Sequence, residues 1–229
     1  MILLLLACAG AEGDTPSATP PPTDSAAHAD TGTASGTDTA RVRAWEDPWP
    51  FADTVVSWLP GEGAGFGQEH FPDVVLGPPR PPDGGGGSLD VLSFGRAGAI
   101  VVGFRDRVVI DGPGPDLIVF ENPMAGWVET GVVAVSDDGV TWAEWPCDPT
   151  DVAGGHPGCA GVVPVAPGAG DSVDPTDPAV AGGDAFDLAA LGVARARWVR
   201  IRDSGANDYA GIGGGFDLDA VAIVNGAAP

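Results

Sequence analysis

Three carboxylates frame one short apolar run in "DGPGPDLIVFENP", residues 111–123: Asp111, Asp116 and Glu121. The Gly-Pro-Gly-Pro link leaves backbone carbonyl oxygens free, and its prolines bring no N–H to compete for them. Carbonyl oxygens joined by one or two carboxylates suit calcium, a hard cation with oxygen ligands. The same pattern also reads as loop capping, with Asp111 and Asp116 accepting from backbone N–H groups and Glu121 paired to an arginine. Asp217 and Asp219 make a second acidic group. They lie two apart in "FDLDAV", so a regular strand points both to one face and sends Phe216, Leu218 and Ala220 to the other. Two like charges side by side require a cation, either Arg200 or Arg202 of the preceding strand or a bound calcium ion.

Other chemistries find less footing. Glycosidases use two acids across a sugar, but with 32 acidic residues such a pair can be drawn almost anywhere. Asp137-Asp138 belongs to a turn. "DSVDPTDP", from Asp171, lacks the Gly and the Glu that an EF-hand loop requires, and reads as an exposed acidic loop. His28 lies in a low-complexity stretch, His70 follows Glu69, and His156 stands between two cysteines. No G-x-S-x-G elbow and no H-E-x-x-H pair accompanies them. "GEGAGFG", residues 61–67, has neither the spacing nor the closing Lys-Ser/Thr of a nucleotide loop, and reads as a turn between strands. Among the aromatics, Trp49, Trp127 and Tyr209 sit in loop-like contexts and are the candidates for stacking on a sugar ring. Trp142, Trp145 and Trp198 fall in strand-like runs, and Trp142 and Trp198 are expected mainly in the core.

The elements that must position these residues are strands. Gly 36 and Pro 23 make about a quarter of the 229 residues, while a hydrophobic fraction of 44% leaves enough for a core. All ten basic residues are arginine, and the net charge of -22 offers no cationic footprint for nucleic acid. From Trp45 onward short β-type runs recur between turn residues: 54–59, 74–76, 89–94, 99–104, 107–110, 117–120, 132–136, 141–145, 185–188, 197–202 and 216–224. This spacing predicts an all-β fold, an antiparallel sandwich or barrel, over 45–229. "RWVRIRD" alternates strictly, with Trp198, Arg200 and Arg202 on one face and Val199 and Ile201 on the other. Only 187–193 hints at a helical turn.

Four motifs in order carry a resemblance. They are "SLDVLSFGRAGAIVVGF" (88–104), "VAVSDDGVTWAEW" (133–145), "ARARWVRIRD" (194–203) and "GFDLDAVAIV" (215–224). Together they resemble the discoidin-type, or coagulation-factor type C, domains and their galactose-binding-like relatives. The resemblance implies a jelly-roll β-sandwich that binds ligand through loops at one end. It also implies a structural calcium near the chain ends, with Asp219 as the acid from the last strand. The chain departs from that family in a long Pro/Asp-rich insertion, 147–181, and in its Gly-rich opening.

Three cysteines complete the reading. Cys8 closes "ILLLLAC", and "LLAC" resembles a bacterial lipobox whose cysteine is acylated; a shortened plain secretion signal is the alternative. A start placed downstream of the true one accounts for the short run and the missing basic region. Residues 9–44 are almost all Ala, Gly, Thr, Pro, Ser and Asp, a disordered tether by composition. Cys147 and Cys159 then pair as a disulfide in an oxidising compartment. The expectation is a secreted, membrane-tethered module at the bacterial cell surface, touching the membrane only through its anchor. Its expected partner is an extracellular glycan or a surface protein, without nucleic acid and without catalysis. The competing expectations are a glycan-active hydrolase using paired carboxylates and a structural envelope protein.

Overall fold

A computed structural model describes residues 49–80, 90–121, 128–207 and 214–229. Segments 1–8 and 9–44, with Cys8, lie outside the described residues, as do Trp127 and Tyr209. The strands are β1 (Thr54–Leu59), β2 (Leu92–Ser93), β3 (Ala99–Gly103), β4 (Val108–Ile110), β5 (Leu117–Glu121) and β6 (Gly131–Ser136). They continue as β7 (Ala143–Glu144), β8 (Asp184–Phe186), β9 (Arg195–Ala196), β10 (Trp198–Asp203), β11 (Asp217–Ile223) and β12 (Gly226–Ala227). All pair antiparallel, in a five-stranded sheet β1-β3-β10-β6-β7, a four-stranded sheet β2-β11-β5-β8 and a small sheet β12-β4-β9. The fold is an all-β, antiparallel sandwich.

Hydrophobic pattern decides how each sheet is covered. In β10 burial alternates residue by residue, and Val199 and Ile201 enter the main core while Trp198, Arg200 and Arg202 do not. Ile100, Val102, Val133 and Val135 join them from the same sheet, facing Leu117, Val119, Leu218 and Val221 of the four-stranded one. The apolar run of β5 has no polar face, so it must be covered on both sides. Ile118 and Phe120 accordingly face a second cluster, with Ala220, Ala222, Phe51, Val165, Ala169 and Ala181. Three of those come from the Pro/Asp-rich insertion, which therefore serves as a lid on the back of the four-stranded sheet. Trp49, expected to offer its ring from a loop, is instead half-buried against this cluster, edge-on to Phe51 with centroids 5.4 Å apart.

Of three local expectations, two change and the helical turn holds in shorter form. The run at 74–76 is not a strand but a 3-10 turn, Asp73–Val75, because three apolar residues after Pro72 carry no alternation to hold a sheet register. The hint of helix at 187–193 is a 3-10 turn, Leu188–Leu191, with Asp187 accepting from the Ala189 N–H and Gly192 ending it at φ 66°. The Asp137-Asp138-Gly139 hairpin is wider than a two-residue turn, since pairing stops at Val135↔Ala143. Gly139 does take the expected positive φ, 74°. The predicted disulfide Cys147–Cys159 is present and closes the loop that follows β7.

Candidate functional site

The outer face of the five-stranded sheet holds a cluster assembled from β3, β6, β7 and β10. Trp198 is flanked by Gly103 on β3 and Ser136 on β6. A Cβ at Gly103 would come within 3.1 Å of the Trp198 Cδ1, and one at Gly139 within 3.6 Å of its Cζ3. The long axis of the indole therefore runs across the strands, between two positions that lack side chains. Trp142 and Trp198, both expected in the core, belong to neither core cluster and are partly exposed. The alternation of "RWVRIRD" already puts Trp198 on the face of the arginines, and charged arginines stay in water.

Next to Trp198 stands a bridged ion group. Glu144, on β7, takes the Arg202 Nη2 on Oε1 at 2.8 Å and faces the Arg200 Nη2 with Oε2 at 3.5 Å. Arg200 also lies over the Trp142 ring, 4.6 Å from its centroid. Further along, Arg195 and Arg197 share Asp137 at 3.0 and 3.5 Å. Pairs this exposed add about 0–1 kcal/mol each to stability. Their consequence is orientation: planar groups are held at fixed positions on a sheet surface. The Arg202–Glu144 end opens into a groove of about 770 Å³, bordered by Val132, Trp145, Pro146, Asp148 and Pro157. The disulfide loop forms its far wall, since Cys147 and Gly158 also line it.

The five acids expected at a metal separate into three places. Asp111 and Asp116 come together with Asp187, their carboxylate oxygens within 4.8 Å of one another. Within that group Asp116 is fully buried and already satisfied. It accepts from Gly112 N–H at 2.9 Å and Asn225 Nδ2 at 2.9 Å on one oxygen, and from Leu188 N–H at 2.8 Å on the other. That is the capping arrangement. Glu121 and Asp217 meet instead with Glu129, again within 4.8 Å, and all three are buried. The pairing Leu218↔Glu121 brings the end of β5 beside the start of β11, and Ser93 Oγ donates to Asp217.

Asp219 stands apart from both groups. A bulge between Leu218 and Ala220 breaks the two-residue alternation, so Ala220 turns to the second cluster while Phe216 and Leu218 stay in the main core. Asp219 accepts the Arg80 N–H at 3.1 Å. Burial raises its pKa well above the usual carboxylate range, the Arg80 N–H and charge work against that, and Asp90 adds to it. The arginines expected to neutralise this acidic pair lie in the other sheet and pair with Glu144.

Sequence reading missed four acids that organise the loops. Glu129 carries no motif, and Glu144 gains its role only through the register Ala134↔Glu144. Asp203 ends β10 and accepts from Ala97, Gly205 and Phe216 N–H groups and from Asn207 Nδ2, gathering three loops onto one carboxylate. Asp184 accepts successive N–H groups of Gly161, Val162 and Val163. Burial pushes its pKa up to about 6 against those three donors. Compared with known proteins, the chain matches no protein-family model and no curated protein.

Proposed function

We propose that this chain is a non-catalytic surface module that binds glycan on the tryptophan–arginine face of the five-stranded sheet, with a structural calcium ion among Glu121, Glu129 and Asp217. The carrying observation is Trp198, a partly exposed indole laid across the sheet between Gly103 and Gly139, beside the Arg200–Glu144–Arg202 group. An aromatic face stacks on the C–H face of a sugar, while oriented donors and acceptors meet its hydroxyls. The site lies on the sheet face and its groove, so the loop-end site implied by the galactose-binding-like resemblance is replaced in this reading. The resemblance itself, a lipid anchor at Cys8 and a spacer over 9–44 remain part of it, and they place the module at the cell surface.

The calcium part rests on the donor set. Three carboxylates from β5, the segment before β6 and β11 converge in a buried place, and hard oxygen donors suit calcium. A divalent cation there offsets the mutual repulsion of like charges.

The full chain on a glycan array, with Trp198→Ala and Arg202→Gln alongside, tests the first part. Loss of signal in both variants, with melting temperatures within about 4 °C of wild type, supports it. No wild-type signal, or undiminished signal in both variants, removes it, and cleavage of a bound glycan would make the protein a hydrolase. For the ion, calcium at about a hundredfold excess over its Kd adds about 2.7 kcal/mol to unfolding. Glu129→Gln should abolish that increment; a melting temperature indifferent to millimolar calcium ends the metal reading.

A further inference from the structure

We infer that the site takes an uncharged glycan chain across several consecutive sugar units, rather than a single terminal sugar or a polyanion. This rests on the glycan-binding reading above and adds the class of glycan.

Length is the first argument. Trp198, Arg200 and Arg202 stand on one face of β10, and from first to last they cover about 13 Å at the rise of an extended strand. Their register partners are small or short: Gly103, Val101 and Ala99 on β3, and Ser136, Ala134 and Val132 on β6. The row therefore lies in a lane with low walls. At Arg202 the lane continues into the groove of about 770 Å³, in the range that holds a drug-sized ligand rather than one sugar ring.

Charge is the second. Arg200 and Arg202 on this face are both held by Glu144, and Arg195 and Arg197 just before β10 are held by Asp137. Asp138 stands exposed at the hairpin beside Trp198, and Asp148 borders the groove. With a net charge of -22 behind it, the face has no cationic surplus to draw in a polyanion. Paired guanidinium groups still have N–H donors, and Glu144 still has lone pairs. A fixed mosaic of donors and acceptors beside an indole matches hydroxyls on a ring with C–H faces.

Affinity gels containing xylan, mannan, soluble starch, galactan or polygalacturonate would identify the polymer, and calorimetry would follow its oligomers upward from the monosaccharide. Retardation by a neutral polymer is expected, with Kd falling about tenfold or more between monosaccharide and trisaccharide, about 1.4 kcal/mol. Arg202→Gln should weaken the longer oligomers about tenfold. A monosaccharide bound as tightly as its oligomers overturns the chain-length claim, and salt-sensitive preference for polygalacturonate overturns the uncharged one; glycan binding survives either result. Binding of no glycan at all removes both readings. The wild-type length series needs no variant, so a misfolded Arg202→Gln would leave the test intact.

Discussion

The two sheets differ in what covers their outer faces. The back of the four-stranded sheet, through Ile118 and Phe120, is sealed by Phe51, Val165, Ala169 and Ala181. The outer face of the five-stranded sheet presents Trp198, Arg200 and Arg202 instead. With Asp203, buried at the end of β10, as the exception, the acids divide in the same way. Glu121, Asp184, Asp217 and Asp219 sit on strands of the four-stranded sheet and are buried, whereas Asp137 and Glu144 are exposed and pair with arginines. A strand apolar on both faces needs a lid, and any acid under it needs N–H groups, hydroxyls or a cation. A strand apolar on one face leaves the other free for solvent-side chemistry, at little cost to stability.

The sharpest way to break this contrast is to truncate one aromatic on each outer face. Phe120→Ala should cost about 3–5 kcal/mol in urea unfolding, through lost burial and the cavity left under the lid. Trp198→Ala should cost about 1 kcal/mol or less, because its ring belongs to neither core cluster. Equal losses would show that the two faces are structurally alike.

Buried and exposed acids should also titrate in opposite senses. Asp184 has a folded pKa near 6, above its ordinary 3.8, so the folded state holds the proton more tightly than the unfolded one. Its contribution is fully present below about pH 4 and is lost as pH rises through 6, by up to about 3 kcal/mol. Asp184→Asn should remove that slope, so unfolding of wild type and variant followed between pH 4 and 7 checks it. Parallel curves would mean the carboxyl is not held against ionisation.

The smallest effect belongs to Asp138. The N–H groups of Thr141 and Val140 hold its pKa down to about 2, with the Ser136 hydroxyl assisting. Here the folded state favours the anion, so the contribution is present above about pH 4 and lost as pH falls through 2. Asp138→Ala should cost stability at pH 7 and nothing once both states are protonated. A loss that persists at the acid end would place its cause outside ionisation.

Much of the sandwich was legible because its signals are local. Alternation in "RWVRIRD" fixed the inward and outward faces of β10, and the runs at 54–59, 117–120 and 132–136 matched strands to within a residue. The 3-10 turn at 73–75 was not legible, since so short an apolar run carries no period. The candidate site was readable only in pieces. Trp198 and its arginines were visible on one face, but Gly103, Gly139 and Glu144 reached them through pairings between distant parts of the chain. Asp217 and Glu121 were visible as acids, while Glu129 joined them without any motif.

Composition and periodicity by themselves determined an all-β sandwich, a disulfide loop and an acidic chain, because each depends on residue type or near-neighbour spacing. Which acids converge, which aromatic faces water and what the long insertion covers were decided by tertiary structure. The bulge at Asp219 and the registers of β10 and β11 are properties of pairing between distant strands, and a one-residue shift in either would move every side chain to the opposite face.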